Sequence, residues 1–347
     1  VQVAGRIAGR GHGGPAKVAV VTSALFGTVS GSAVANVMAV GTLTIPTMNR
    51  AGYPKALAAG VEASASAGGQ IMPPIMGAGA FLMAELLNVP YLNIALAASL
   101  PAILYFTVIF ISVDLYARRH RLGRDAAPRT PIAMDKAVPL AISVAALIGM
   151  LAHDYTPTMA AVTASAALLV TAGSIRVVRG LQAAAIGAQL RGFVRDIWNG
   201  LVDGGKGMIM IGVLLACAGI LTTVLGASGL GAKVSSELVA LAGSDLLLAL
   251  ILSAFICILL GMDVPTTASY VLTASVAAPV LTRLGLPPLT AHLFIFYFAI
   301  LSAITPPVCA SVYAASAIAK EGFWSVARYA LIVAGAVYVI PFMFVYR

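Results

Sequence analysis

The sequence predicts an all-α polytopic membrane protein, and three observations carry that prediction. Hydrophobic residues make up 60% of the 347 positions and charged residues 10%, against roughly 45–50% and about 25% in a water-soluble domain. Mean hydropathy over the whole chain is +0.99, which leaves too little polar surface to cover a particle in water. The apolar residues are also gathered into runs near the ~20 residues that a helix needs to cross the hydrocarbon core.

Taken in order, the opening 1–14 (VQVAGRIAGRGHGG) begins at Val1 and is too short for a span. It reads as a truncated connector, with further helices expected upstream. Residues 16–48 form an apolar stretch that turns back at Gly31, and 53–88 is long enough to cross but carries central Gly and Pro. Full spans follow at 92–117, 136–152 and 157–175. In 176–200, Arg176, Arg179, Arg191 and Arg195 lie among Leu, Ile, Phe and Trp. That pattern suits an amphipathic helix on the inner membrane surface, with a solvated connector as the alternative. After a span at 204–226, a second stretch, 230–282, turns back near Asp263; 287–318 is a second interrupted span, and 323–345 is the last helix. Both turning stretches read as re-entrant hairpins. The organisation is therefore 15–90 and 230–319 as two hairpin-plus-broken-helix units, 91–229 as scaffold-type helices with the amphipathic connector, and 320–347 as a C-terminal span.

The net charge is +9. A nucleic-acid partner would require basic residues clustered on a folded soluble face, whereas here they sit in short loops between apolar runs. With Val1 inside and both hairpins returning to their side of entry, 18 of the 21 Lys and Arg fall inside, leaving Lys233, Arg283 and Arg347 outside. This is the positive-inside asymmetry of a multi-pass protein in a bilayer. Cys217, Cys257 and Cys309 lie in apolar stretches without metal-ligand spacing and read as core or lipid-facing thiols.

The punctuation of the chain repeats at a constant spacing of 233 residues: Pro46 on Pro279, Arg50 on Arg283, Gly52 on Gly285, Pro54 on Pro287, Ile71 on Ile304, and Pro73–Pro74 on Pro306–Pro307. The charge asymmetry puts Arg50 inside and Arg283 outside, so the repeats are expected to be inverted across the membrane. Inverted repeats with interrupted helices are the architecture of secondary transporters, whose sites lie where the broken helices meet.

Four elements can carry chemistry. The first hairpin turns at 27–36 (GTVSGSAVAN), where Gly31 lets the backbone reverse and Ser30, Ser32 and Asn36 supply neutral oxygens. A small-residue packing stripe through Gly27 and Gly31 is the structural alternative. The second turns at 261–267 (GMDVPTT). Asp263 at membrane depth needs a partner, a proton or a polar cavity, Pro265 suits a helix start, and Asp263 or Thr266 is placed to cap it, with Thr267 beside them. The broken helices, 68–77 (GGQIMPPIMG) and 302–307 (SAITPP), lose backbone donors at Pro73, Pro74, Pro306 and Pro307 and expose carbonyls and amides. Gln70, Ser302 and Thr305 add side-chain polar groups there. Glu62, Glu85 and His292 are weaker candidates for proton carriers, and each reads first as facing a helix partner or the interface. No nucleophile–base or metal signature of an enzyme appears.

At these residues the sequence resembles the large membrane subunit of tripartite ATP-independent periplasmic (TRAP) transporters. The resemblance lies in GTVSGSAVANV, IPTMNRAGYP, GGQIMPPIMGA, GMDVPTTASYV and ITPPVCASVYA, and is nearest to the TAXI-associated branch with fused permeases. It covers nearly the whole chain. It implies an elevator-type transport domain in which two hairpin tips and two broken helices enclose substrate and coupling ion. The matching positions are Ser30, Gly31, Ser32 and Asn36; Gln70, Pro73 and Pro74; Asp263, Pro265, Thr266 and Thr267; and Thr305, Pro306 and Pro307. The resemblance further implies import of an organic carboxylate across the bacterial inner membrane by cation-driven symport, with no cofactor beyond Na⁺ or H⁺. Any Na⁺ is expected at the same hairpin tips. The implied partners are a periplasmic substrate-binding protein and a small membrane subunit or its fused equivalent. Rival readings are a binding-protein-independent dicarboxylate or citrate carrier of the same fold, a channel, and an intramembrane enzyme.

Overall fold

The computed structural model describes residues 2–9, 12–122, 134–153, 155–182, 186–243, 245–262 and 264–346. Every regular element among them is helical: α1 (Gln2–Ala8), α2 (Gly14–Ser30), α3 (Ala33–Asn36), a π turn (Val37–Gly41), α4 (Thr42–Arg50), α5 (Lys55–Gly68), a 3₁₀ turn (Gly69–Ile71), α6 (Ala78–Leu87), α7 (Tyr91–His120), α8 (Met134–Ala152), α9 (Pro157–Gln182), α10 (Ile186–Ala227), α11 (Leu230–Ala242), α12 (Leu246–Leu260), α13 (Thr266–Arg283), α14 (Pro288–Leu301), a 3₁₀ turn (Ser302–Ile304), α15 (Ala310–Ala319), α16 (Phe323–Ala334), a 3₁₀ turn (Gly335–Val339) and α17 (Ile340–Val345). Three described helical segments are long and apolar enough to cross a bilayer, namely Tyr91–His120, Pro157–Leu181 and Phe323–Val345. This is an all-α polytopic membrane protein.

The chain forms two compact units, 1–89 with 93–130 and 218–347, and 90–92 with 131–217. The first holds both repeats. Their geometry repeats as their sequence does: α5 and α14 start and stop 233 residues apart, and so do the 3₁₀ turns that follow them. Pro73–Pro74 and Pro306–Pro307 are both cis, and Gly52 and Gly285 share a positive φ. Pro54 and Pro287 stand in the same extended conformation before the two helices.

The two helices meet full burial with opposite side chains. α5 is buried on every face from Ala56 to Gly68 by being nearly all Ala, Gly and Ser. Its backbone therefore approaches its neighbours closely, Gly60 against α16 and Gly68 against the ring of Tyr105. α14 is buried from Leu293 to Leu301 around Phe294, Phe296, Tyr297 and Phe298. A helix apolar all round belongs inside protein, and these two form the core around which each hairpin is laid. Lys17 on α2 pairs with Asp114 on α7 at 2.5 Å, over the face of Phe110, and ties the first hairpin to the long helix.

Two expectations change. The second turning stretch, expected as one hairpin over 230–282, resolves into α11 and a hairpin of α12 and α13. Gly243 takes a left-handed φ, and Asp245 caps α12 by accepting from the amides of Leu247 and Leu248. Residues 176–200 do not make a helix of their own. The first part prolongs α9 to Gln182, and from Ile186 the chain is already α10. The two ends are tied by Arg176, which bonds Asp196 at 2.5 Å and lies over Phe193, while the apolar side chains of Leu190, Val194 and Trp198 stay exposed. In the same unit Ser143 of α8 donates to the carbonyl of Ala164 on α9 at 2.8 Å.

Candidate functional site

The first hairpin is turned by Gly31, which closes α2 at φ 60° with its amide donating to the Gly27 carbonyl. Ser32 then caps α3, its hydroxyl accepting from the Ala35 amide at 3.3 Å. Both roles of the small-residue stretch are real. Gly31 makes the turn, while Gly27 lets α2 lie directly on Gly69 of the first break, where a Cβ on Gly27 would meet the Gly69 backbone. The first break runs from Met72 to Gly77. It is closed by the Gly77 amide donating to the Gln70 carbonyl at 2.7 Å and docked on the hairpin by the Ile75 amide donating to the Thr28 carbonyl at 3.3 Å. Pro73 and Pro74 are half-buried in it.

Gln70 gathers the site. Its amide nitrogen donates to the Gly31 carbonyl at 3.4 Å, and its oxygen accepts from the Thr266 hydroxyl at 3.0 Å. Thus one side chain of the first break touches the turn of the first hairpin and the start of the second arm of the second hairpin, 196 residues away. The sequence offers Thr266 as a cap for α13, but its hydroxyl points to Gln70 instead. Pro265, exposed, occupies the cap position and has no oxygen to offer. Thr267 is half-buried beside it. Asp263 lies outside the described residues.

The second hairpin meets its own break through Ser302, whose hydroxyl reaches the carbonyls of Gly261 at 3.2 Å and Ala299 at 2.8 Å. Thr305 is committed elsewhere. It donates to the Leu301 carbonyl at 2.7 Å and is 2.6 Å from the Tyr338 hydroxyl, which anchors the break to the 3₁₀ turn after α16. Pro306 is half-buried and Pro307 exposed.

Among the buried oxygens without a partner, two occupy matching places in the repeats. Asn36 is fully buried; its amide nitrogen donates to the Ser23 carbonyl at 2.9 Å, and its oxygen has no partner. Ser269 is equally buried and its hydroxyl is likewise without a partner. The two stand 233 residues apart, in the same turn of the second arm of each hairpin, next to Gly69 and Ser302 respectively. Ser269 is missing from the candidates that the sequence motifs supply, although the repeat spacing applied to Asn36 points to it. Ser30 adds another unpartnered buried hydroxyl at the first turn. Since buried polar atoms are almost always satisfied, these unpartnered oxygens at the hairpin tips and breaks are available to a small ion or a ligand, as are the buried hydroxyls of Ser253 on α12 and Ser311 on α15.

Of the weaker candidates, Glu85 is exposed, and His292 is paired through Nδ1 with the Tyr270 hydroxyl at 2.7 Å. Glu62 is fully buried and surrounded by hydroxyls.

A helical membrane protein with a duplicated hairpin and broken helix, whose tips and breaks converge on neutral polar groups, is of the secondary-transporter class. The comparison with known families agrees. A family model described as the DctM component of tripartite ATP-independent periplasmic transporters matches residues 1–346, and the chain belongs to that family. It is 26% identical over 337 residues to the C4-dicarboxylate TRAP transporter large permease protein DctM of Pseudomonas aeruginosa, covering 95% of this chain and 75% of that protein. It is also 26% identical over 323 residues to the 2,3-diketo-L-gulonate TRAP transporter large permease protein YiaN of Escherichia coli, covering 92% and 72%. To the isethionate TRAP transporter permease protein DctMQ of Oleidesulfovibrio alaskensis it is 22% identical over 313 residues, covering 89% and 47%. These relatives are named as permeases, not enzymes.

Proposed function

We propose that this chain forms the transport core of a secondary transporter that imports a small organic carboxylate, of the C4-dicarboxylate kind, across a bacterial inner membrane. A cation gradient drives it, and a periplasmic binding protein delivers the substrate to the permease and its small membrane subunit or fused equivalent. The observation that carries the reading is Gln70, which holds both hairpin tips on the first break. The same tips and breaks hold the unpartnered oxygens of Ser30, Asn36 and Ser269 and the N-termini of α6, α13 and α15, none of them capped by a side chain. Helix N-termini carry partial positive charge and suit a carboxylate; neutral oxygens suit a coupling cation. Thr267, Thr305 and the two proline pairs belong to the same tips and breaks. The relatives' substrates, by their names, are small organic anions.

In this reading the hairpins are re-entrant. α12, with 15 residues, reaches about 22 Å and falls short of the ~30 Å core. The repeats are inverted, and the hairpin-and-break assembly moves as an elevator. The test is uptake of labelled succinate into proteoliposomes holding the complete permease complex, with and without its binding protein and with an imposed Na⁺ or H⁺ gradient. Accumulation that needs both is expected. Full-rate uptake without the binding protein favours the independent-carrier reading, and downhill flux indifferent to every ion gradient overturns secondary transport.

A further inference from the structure

We propose that Glu62 is a proton-binding site that clamps the first hairpin to its broken helix, and that transport is coupled to a proton carried there. The proposal rests on the transport reading above.

Glu62 sits midway along α5 with no exposed surface. Its Oε1 accepts from Ser23 of α2 at 2.6 Å and from Ser66 of α5 at 3.1 Å, and its Oε2 lies 2.5 Å from the Thr44 hydroxyl of α4. Both arms of the hairpin and the broken helix therefore meet on one carboxyl group. Hydrogen-bond bookkeeping assigns its protonation. A threonine hydroxyl has one proton to give, and Thr44 is also 3.0 Å from the Val40 carbonyl, the ordinary bond of a helical threonine. If Thr44 donates to Val40, the short contact to Oε2 needs a proton from Glu62. A neutral acid donating to Thr44 while accepting from Ser23 and Ser66 satisfies every group.

Among the described residues, no charge is available to hold a carboxylate instead. On the elements packed against α5, Lys17 is bound to Asp114, and Arg50, Lys55 and Arg328 are exposed. His292 is bonded to Tyr270, Tyr297 donates to the Val337 carbonyl, Tyr313 stacks on Phe323, and Tyr329 is bonded to Tyr116. An unpaired charge buried in apolar surroundings is strongly disfavoured. Each of the three hydroxyls lies within hydrogen-bond distance of the carboxyl group.

The second repeat shows that the fold does not require this cluster. At the spacing of 233, Ser23, Thr44, Glu62 and Ser66 fall on Ile256, Ala277, Ile295 and Ala299; the last three are fully buried. The same packing is made there from apolar side chains. The π turn Val37–Gly41, which brings Gly41 against the Glu62 side chain, is likewise peculiar to the first repeat, since α13 runs through the equivalent positions unbroken. π turns inside helices are frequent at functional sites.

The cluster connects to the candidate site through Ser23, whose hydroxyl bonds Glu62 and whose carbonyl receives the Asn36 amide. On losing its proton to water on the inner side, Glu62 becomes acceptor-only, Thr44 must turn from Val40 to the carboxylate, and a bare charge is left among three helices. Water entry and loosening of hairpin from break follow. Reprotonation from the outer solution restores the clamp. Nothing is oxidised or reduced.

Two measurements test this, each on wild type and Glu62→Gln, an uncharged near-isostere of the acid. The first is infrared difference spectroscopy between acidic and alkaline buffer, on the complete permease in nanodiscs. A carboxylic-acid C=O band that is present at neutral pH, lost at alkaline pH and absent in Glu62→Gln is expected. Thr44→Val should shift that band by removing its acceptor. A neutral-pH spectrum unchanged by Glu62→Gln overturns the proposal without touching the transport reading. The second is succinate uptake driven by an imposed pH gradient. Wild type should respond, and Glu62→Gln should lose the response while inserting and eluting as the wild type does. A Glu62→Gln variant that still responds to the pH gradient, or a wild type driven by Na⁺ alone, overturns the proposal. Absence of any carboxylate flux in wild type overturns the transport reading instead, and leaves the infrared result to stand on its own.

Discussion

At Gly31 the backbone takes φ 60°, and a side chain there would strike the carbonyl of Met76. The left-handed conformation alone costs a non-glycine residue about 1–2 kcal/mol, so Gly31→Ala is expected to lose at least that much stability, with the clash adding to it. Denaturant titration in detergent measures it; an unchanged midpoint would show that the tip is not seated on the break. Asn36 and Ser269 make a different demand, because their oxygens lack partners in the fold. Asn36→Ala and Ser269→Ala should leave expression and insertion nearly intact. Each is expected to weaken ion or substrate binding by about 1–3 kcal/mol, the scale for a lost buried polar partner. Titration calorimetry with succinate and Na⁺ checks this, and wild-type affinities in both variants would place the site elsewhere. Thr305→Ala is expected to act on stability first, since its hydroxyl is already held by Leu301 and Tyr338.

At the scale of elements, the first break is joined to the second hairpin by the bond from Thr266 to Gln70. A double-mutant cycle with Gln70→Leu and Thr266→Val should show a coupling of about 0.5–1.5 kcal/mol in unfolding free energy. Additivity would mean that the two elements are only neighbours. Further along the chain, the ends of α9 and α10 are tied by Arg176 and Asp196. The hydrogen bond from Arg176 holds Asp196 below the usual carboxylate range. The carboxylate form is thus favoured in the fold, and the contribution of the pair is present above the ordinary carboxylate range. It is lost only as pH falls through the lowered value. Limited proteolysis of the tied ends of α9 and α10 should therefore be unchanged between neutral and mildly acidic buffer, and Asp196→Ala should raise it at both. Acid-sensitive cleavage in the wild type would show that the pair does not hold the junction.

For the molecule as a whole, the charge distribution is the observation that sets orientation. Arg50 and Arg283 close α4 and α13, occupy equivalent places in the two repeats and are both exposed. In the proposed inverted-repeat reading, with 18 of 21 basic residues assigned to one side, the positive-inside bias is expected to put them on opposite faces of the membrane. Single cysteines at these positions should accordingly be modified by an impermeant thiol reagent from opposite sides, Arg50→Cys from the cytoplasm and Arg283→Cys from outside. Same-side labelling of both would rule out inversion of the repeats.

The all-helical membrane class, the ends of α5 and α14 and the pairing of the two breaks are legible in the amino-acid sequence alone. Each depends on local rules that a linear pattern records: apolar run length, proline removing a backbone donor, glycine at a left-handed turn. The spacing of 233 also contains the Asn36–Ser269 equivalence. Other features depend on which side chains meet in space. Spacing can nominate Gln70 but not show that it touches Gly31 and Thr266, because hydrogen bonds between residues 39 and 196 positions apart leave no trace in local periodicity. The amphipathic stretch 176–200 shows a related limit: its period is legible, but not that the chain divides it between the ends of α9 and α10. Glu62 shows the limit most clearly. Its setting needs three helices to bring Ser23, Thr44 and Ser66 to one carboxyl group, and only that packing distinguishes it from an isolated acidic residue in an alanine-rich helix.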